Sequence, residues 1–156
     1  MRVMDFLNKK AVTADLKAGD KMGVLKEMVE LLIKAGVLKQ NEKDNIIEAL
    51  KDREELGSTG IGKGIGIPHG KSDTVKELVG AFGLSRHGVD FESLDGDPVH
   101  IFFLLIAPED SAGPHLKALA RISRLLKEKY FRDMLRAAKD EKDIIRIITE
   151  EDQRRQ

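Results

Sequence analysis

The sequence predicts a single α/β domain in which helices pack against one β-sheet. Apolar residues recur at helical spacing in the first third of the chain, form strand-like runs in the middle, and return to helical spacing in the last third. The chain has 156 residues, which is enough for one domain with a substantial hydrophobic core. No internal repeat, low-complexity segment or linker divides it, so we expect one domain over residues 1–156.

The first third is predicted to contain a strand and two helices. Residues 11–16 alternate weakly between apolar and polar and predict the strand. An amphipathic helix follows Asp20 and ends before Gly36, as a C-terminal cap would require. Asn41 is predicted to open the second helix, with Asp44 three residues later as an approximate capping box, and this helix runs into a charged end.

The middle and last thirds supply the sheet and the remaining helices. Residues 78–84 and 99–107 predict strands, separated by a turn at residues 94–98. The second of these strands is almost continuously apolar, which is typical of an inner strand covered on both faces. Three helices are predicted to begin near Pro114, Tyr130 and Asp140.

Composition excludes several classes of function. The 27 basic and 27 acidic side chains balance, so no overall field favours nucleic acid or an anionic membrane. The absence of cysteine excludes disulfides, thiol catalysis and cysteine-ligated zinc. The N-terminus lacks the apolar stretch of a signal peptide, and the longest apolar run, residues 101–107, is too short to span a bilayer. We therefore expect a cytoplasmic protein with no membrane insertion and no nucleic-acid partner.

Residues 57–70 form a segment with six glycines. The spacing from Gly57 to Lys63 matches a nucleotide-binding P-loop, but Gly64 stands where a serine or threonine would ligate magnesium. Pro68 then interrupts the helix that a P-loop requires, and Ile65 breaks the dinucleotide-binding pattern. Two interpretations remain open: a flexible or tightly turning connection, and a backbone nest that binds an anion.

His69 is the first candidate for a reactive side chain. It stands between Pro68 and Gly70, which predicts an exposed turn with the backbone fixed on one side and open on the other. Near neutral pH an imidazole is largely unprotonated, so one ring nitrogen can attack phosphorus while the other keeps its proton. The alternative is an ordinary surface histidine in a loop.

The other histidines are His87, His100 and His115. No two of the four have the close spacing of metal ligands, so no metal site is predicted. His115 lies just inside a predicted helix start, where backbone N–H groups attract anions; the alternative is an ordinary first-turn residue. His87 and His100 are interpreted as structural or solvated.

The segment from Arg53 to Lys71 resembles the active-site signature of the enzyme IIA domains of the fructose–mannitol class, which belong to the bacterial phosphoenolpyruvate-dependent phosphotransferase system. The resemblance continues through residues 97–108 and 115–119, and covers residues 11–150 as the core of an enzyme IIA-like domain. The order of arginine, glycine-rich segment, Pro-His-Gly and second histidine makes the motif specific. One departure is Gly66, where the family often has alanine.

The resemblance implies a fold and a chemistry. The implied fold class is α/β, with a mixed β-sheet flanked by helices on both faces. His69 would be phosphorylated on Nε2 by a histidine-containing carrier such as HPr, and would pass the group on; Arg53 and His115 match the family's active-site arginine and second histidine. No metal, nucleotide or other cofactor is implied for this step.

Family members differ in the use they make of the phosphoryl group. We expect a free-standing domain, with no attached membrane segment or second phosphorylation domain. The glycine-rich run of this chain looks closer to the nitrogen-regulatory type, which acts on a regulated target protein. The alternative is a sugar-specific enzyme IIA for fructose- or mannitol-type uptake that passes phosphoryl to a IIB domain.

Overall fold

The computed structural model describes residues 1–155, which form a six-stranded sheet and five α-helices. The strands are β1 (Leu7–Thr13), β2 (Gly60–Gly62), β3 (Ile65–Gly66), β4 (His69–Ser72), β5 (Val79–Val89) and β6 (Val99–Pro108). The helices are α1 (Lys21–Lys34), α2 (Lys43–Glu55), α3 (Ala112–Leu126), α4 (Lys129–Ala137) and α5 (Glu141–Arg154). Over this part of the chain, no helix is both long enough and apolar enough to cross a membrane.

The sheet is mixed, as expected. Its order is β1-β5-β6-β3-β2, and β4 also pairs with β6. β6 runs antiparallel to β5 but parallel to β3 and β4, while β1 runs parallel to β5. β6 is therefore the inner strand on which the rest of the sheet is assembled.

Helices cover both faces of the sheet because the side chains of β6 alternate between two cores. Phe102 and Leu104 pack in the core that contains α1 and α2, whereas Phe103 and Leu105 pack in the core that contains α3, α4 and α5. All four are at most 2% exposed. The prediction of an inner strand covered on both faces is confirmed.

Local capping signals explain which predicted boundaries hold. Asp20 caps α1 by accepting a hydrogen bond from the N–H of Gly23 at 2.7 Å, and Gly36 follows the helix with φ +82°. The capping box at Asn41 is wrong. Asn41 lies in a 3₁₀ turn, α2 begins at Lys43, and within residues 1–155 the N-cap residue Glu42 makes no side-chain capping bond.

The first strand begins earlier than predicted. β1 covers Leu7–Thr13, not residues 11–16, and its pairing with β5 shifts register between Leu7 and Val12. The register shift lies in a segment whose polar residues interrupt the alternation of apolar and polar positions. Because the sequence prediction relied on that alternation, it placed the strand too late in the chain.

The glycine-rich segment contributes three short strands and a tight hairpin. β2 and β3 are antiparallel and joined by Lys63 and Gly64, whose φ angles are +59° and +78°. Two consecutive residues with positive φ indicate a type I′ turn, which favours glycine at its second position. The interpretation as a tight turn therefore describes this part of the segment.

Candidate active site

His69 is the first residue of β4, where it pairs in register with Leu105 of β6. It is half-buried, so the prediction of an exposed turn is wrong: parallel pairing with β6 draws the residue after Pro68 into the sheet. Its Nδ1 lies 2.8 Å from the carbonyl oxygen of Ile67. Because a carbonyl oxygen only accepts, Nδ1 carries the proton, and in the neutral ring Nε2 holds the free electron pair.

His115 lies in the first turn of α3, beside His69. The two ring centroids are 5.2 Å apart and the rings are inclined by 80°. The residue is only 7% exposed, and its Nε2 is buried without a hydrogen-bond partner among residues 1–155. A buried unpaired ring nitrogen costs free energy, so a group that hydrogen-bonds to it would be favoured.

Arg53 comes from the last turn of α2. Its Nη1 donates a hydrogen bond to the carbonyl oxygen of Gly57 at 2.8 Å, which ties the guanidinium to the start of the glycine-rich segment. Its positive charge contributes to lowering the pKa of His69. The guanidinium has other N–H groups that remain able to contact an anion.

The surroundings of both histidines favour the neutral imidazole over the charged one. Burial lowers the pKa of His69; the hydrogen bond to Ile67 raises it, Arg53 lowers it further, and Glu54 raises it. Burial also lowers the pKa of His115, with smaller contributions from His69 and Lys71. Since the neutral imidazole is the nucleophile, the site favours the reactive form of His69 at neutral pH.

Gly66 departs from the alanine that the family often has, and packing explains why glycine fits here. A Cβ at this position would lie 3.2 Å from the Phe102 ring and 3.2 Å from a methyl group of Val99. Alanine would require these neighbours to move by a few tenths of an ångström. The replacement of alanine by Gly66 therefore affects packing in the sheet. It lies three residues before His69 in the chain.

Sequence reasoning missed a polar cluster formed by Lys21 and the buried residues Glu54 and Thr59. The carboxylate of Glu54 accepts hydrogen bonds from the N–H and the hydroxyl of Thr59, and pairs with Nζ of Lys21 at 2.9 Å. The sequence pattern places Glu54 in a charged helix end. A signal of its burial was present: it lies four residues after Leu50 on the buried face of α2.

The remaining histidines lie outside this arrangement. His87 is exposed on β5, which agrees with its interpretation as a solvated residue. His100 directs Nδ1 to the carbonyl oxygen of Ser85 at 2.9 Å, which is a structural role. Within the described part of the chain, no group of three or more histidine, aspartate and glutamate residues is arranged to hold a metal ion.

The relatives that this chain resembles in sequence include a regulatory protein and a fructose-specific component. The chain is 39% identical over 148 residues to a nitrogen regulatory protein of Bradyrhizobium diazoefficiens, covering 95% of each protein. It is 42% identical over 152 residues to the fructose-specific EIIABC component of Bacillus subtilis; that match covers 97% of this chain but 24% of the relative, so this chain spans about a quarter of it.

Solved structures share the fold. The crystal structure of the nitrogen regulatory protein IIA-Ntr from Neisseria meningitidis superposes with a TM-score of 0.83 at 33% identity, over 92% of this chain and 97% of that one. Residues 5–151 match the family described as phosphoenolpyruvate-dependent sugar phosphotransferase system, EIIA 2. The chain therefore belongs to this EIIA family, whose domains are phosphohistidine-carrying components of a phosphotransferase system.

Proposed function

We propose that His69 accepts a phosphoryl group on Nε2 from the phosphohistidine of an HPr-like carrier. The observation that carries the proposal is the hydrogen bond from Nδ1 to Ile67, which leaves the Nε2 electron pair free beside His115. In the transfer, the donor's P–N bond breaks and its ring leaves with the electron pair, while a P–Nε2 bond forms on His69. The Nδ1 proton stays in place, donating to Ile67 and stabilising the positive charge that the ring gains.

Arg53 and His115 have supporting roles in this proposal. Histidine-to-histidine transfer is nearly balanced in energy, so the site must mainly position the reactants and offset charge on the phosphoryl oxygens. Arg53 supplies full positive charge and two N–H groups in a fork, which suits these oxygens. His115 supplies the unpaired Nε2. Once this nitrogen carries a proton, it donates a hydrogen bond to the transferred phosphoryl group.

We propose that the phosphorylation state acts as a regulatory signal. The match to a nitrogen regulatory protein over 95% of both chains and the likeness to the IIA-Ntr structure support this assignment. The added phosphoryl charge would then alter contact with a regulated protein. The alternative is sugar uptake with transfer to a IIB domain, and the higher identity to the fructose-specific EIIABC component favours it.

Phosphorylation in vitro tests the acceptor. The protein is incubated with phosphoenolpyruvate, enzyme I and HPr, and its intact mass is measured under neutral conditions. We expect one acid-labile phosphoryl group on the unmodified protein and none on His69→Ala. His115→Ala should gain the group more slowly. Equal phosphorylation of His69→Ala would refute the role of His69, and a folded His115→Ala protein without acceptor capacity would show that the two roles are reversed.

A second experiment separates regulation from transport. The phosphorylated protein is mixed with a purified fructose-type IIB domain, and loss of its phosphoryl group is followed by mass spectrometry. Regulation predicts that the group is retained on the time scale of the first experiment. Rapid transfer to the IIB domain would favour sugar uptake.

A further inference from the structure

We propose that Glu54 is a positioning residue for His69, because its carboxylate fixes Thr59 and thereby sets the orientation and tautomer of the histidine ring. The inference rests on the proposed role of His69 as phosphoryl acceptor and extends it. Glu54 touches neither substrate nor the reacting nitrogen, and acts through the backbone between them.

The Glu54 carboxylate is buried at an unfavourable place for a negative charge. The residue is 7% exposed and lies in the last turn of α2, where the helix dipole disfavours negative charge. A buried carboxylate in this place requires strong partners. It has three: the Thr59 N–H at 3.0 Å, the Thr59 hydroxyl, and Lys21 Nζ at 2.9 Å.

A continuous path of hydrogen bonds leads from Glu54 to the His69 ring. The carboxylate holds Thr59, the carbonyl oxygen of Thr59 accepts the N–H of Ile67 at 3.0 Å, and the carbonyl oxygen of Ile67 accepts Nδ1–H of His69 at 2.8 Å. Thr59 immediately precedes β2 and Ile67 immediately follows β3. Glu54 thus anchors the open end of the β2–β3 hairpin, which carries the carbonyl group that orients His69.

Hydrogen bonds also link the same cluster to Arg53. The N–H of Gly57 donates to the backbone carbonyl of Glu54 at 3.1 Å, and the carbonyl of Gly57 accepts from Arg53 Nη1. The end of α2 and the segment leading to Thr59 are therefore tied together on both sides of Glu54. Displacement of Thr59 would disturb the arginine and the histidine together.

The chemical consequence concerns the tautomer. If the Ile67 carbonyl moves, Nδ1 loses its acceptor, and the ring proton can shift to Nε2. A proton on Nε2 removes the electron pair that attacks phosphorus. Misplacing a reacting group by about 1 Å can lower the reaction rate roughly a hundredfold.

Two substitutions separate geometry from charge. Glu54→Gln keeps the side-chain length and loses the charge: its amide oxygen can accept from Thr59 N–H and Lys21, and its amide nitrogen can donate to the Thr59 hydroxyl. Glu54→Asp keeps the charge but is one carbon–carbon bond shorter. Positioning by hydrogen bonds predicts that glutamine retains function and aspartate does not. An effect of charge predicts the reverse.

The readouts are the His69 tautomer, from ring ¹⁵N chemical shifts at a pH where imidazoles are neutral, and the kinetics of phosphoryl acceptance from phosphorylated HPr. We expect the Nδ1–H tautomer in the unmodified protein and in Glu54→Gln, with a mixed population in Glu54→Asp. In Glu54→Asp, kcat should fall roughly 10- to 100-fold with little change in KM. In Glu54→Gln, kcat should stay within about threefold.

The matched control is the neighbouring exposed carboxylate, Glu55, changed to glutamine and to aspartate, for which no readout should change. A purely structural role of Glu54 would lower thermal stability in both Glu54 variants and leave the tautomer intact; that result overturns the proposal. Aspartate performing better than glutamine also overturns it. Should the unmodified protein accept no phosphoryl on His69, the proposed function fails, while the tautomer still tests the role of Glu54.

Discussion

The reactivity assigned to His69 depends on the surroundings of each ring nitrogen. Ile67 accepts from Nδ1, and the neighbouring His115 and Arg53 come from elements distant in sequence. Burial also lowers the pKa of the ring, which favours its neutral form. A loop histidine with the same intrinsic chemistry would lack the fixed tautomer, and so would present a reactive Nε2 only part of the time.

The pH dependence of acceptance follows from the lowered pKa. Protonation of neutral His69 occupies Nε2, so acceptance is lost as pH falls through the pKa of the folded protein. Since that pKa lies below the ordinary value of 6.5, the midpoint of the decline in acceptance rate should lie below pH 6.5. NMR titration of the His69 ring, with single-turnover rates, checks this; a midpoint at or above 6.5 would contradict it.

Arg53→Lys tests the importance of the guanidinium fork. Lysine keeps the positive charge but provides one ammonium in place of two parallel N–H donors, and it cannot reproduce the anchored geometry at Gly57. We expect kcat for phosphoryl acceptance to fall about tenfold or more. The control is Arg124→Lys, on the exposed side of the last turn of α3. Unchanged transfer rates in Arg53→Lys would refute the role of the fork.

At the scale of elements, the turn of the β2–β3 hairpin can be tested by a substitution of Lys63. Its φ of +59° is unfavourable for lysine, and a type I′ turn prefers asparagine before glycine. Lys63→Asn should raise the free energy of unfolding by a few tenths to about 1 kcal/mol and leave phosphoryl transfer unchanged. Urea denaturation measures this, with Lys76→Asn as the control. Lower stability, or loss of transfer, would contradict the turn assignment.

The elements that could be predicted from sequence are those with strong local signals. Asp20 and Asp140 cap α1 and α5, and both helices have clear apolar periodicity. The strand β1 was predicted but with wrong bounds, and the predicted start of α2 is wrong, because pairing with β5 and a 3₁₀ turn override weak local patterns. The glycine-rich segment forms strands through pairing with β6, which its small side chains do not predict.

The residues of the candidate site, too, could be predicted from the sequence only in part. Only the resemblance could group Arg53, His69 and His115, since periodicity gives no information on which distant elements meet. Glu54 was missed because a charged run normally faces solvent, although its spacing from Leu50 placed it on the buried face of α2.

At the scale of the whole molecule, the site lies where the two helical layers meet the sheet. Arg53 belongs to α2 on one face, His115 belongs to α3 on the other, and His69 opens the strand between them. No single element carries the chemistry. The sandwich architecture itself is therefore what assembles the proposed acceptor and its two partners.

Asp152 of α5 holds the N-terminal residues of the chain and α3 together, which a substitution can test. It is 1% exposed, pairs with Arg121 of α3 at 3.1 Å, and accepts the N–H groups of Val3 and Met4. Asp152→Ala should lower the free energy of unfolding by about 3–5 kcal/mol, because it leaves the Arg121 charge buried without a counter-ion. Transfer per folded molecule should not change.

Urea denaturation measures the effect, and the comparison is Asp133→Ala, which removes an exposed pair with Lys129 and should have no measurable effect. Equal stability of Asp152→Ala and the unmodified protein would contradict the role of the buried pair.

The most direct test of the central claim is the identity of the phosphorylated nitrogen. The protein is labelled with ¹⁵N in its histidine rings, phosphorylated through enzyme I and HPr, and examined by ¹⁵N and ³¹P NMR at mildly alkaline pH. We predict that phosphorus is coupled to Nε2 of His69 and that Nδ1–H still donates its hydrogen bond to the carbonyl oxygen of Ile67. Phosphorus on Nδ1 of His69, or on either nitrogen of His115, would contradict the account.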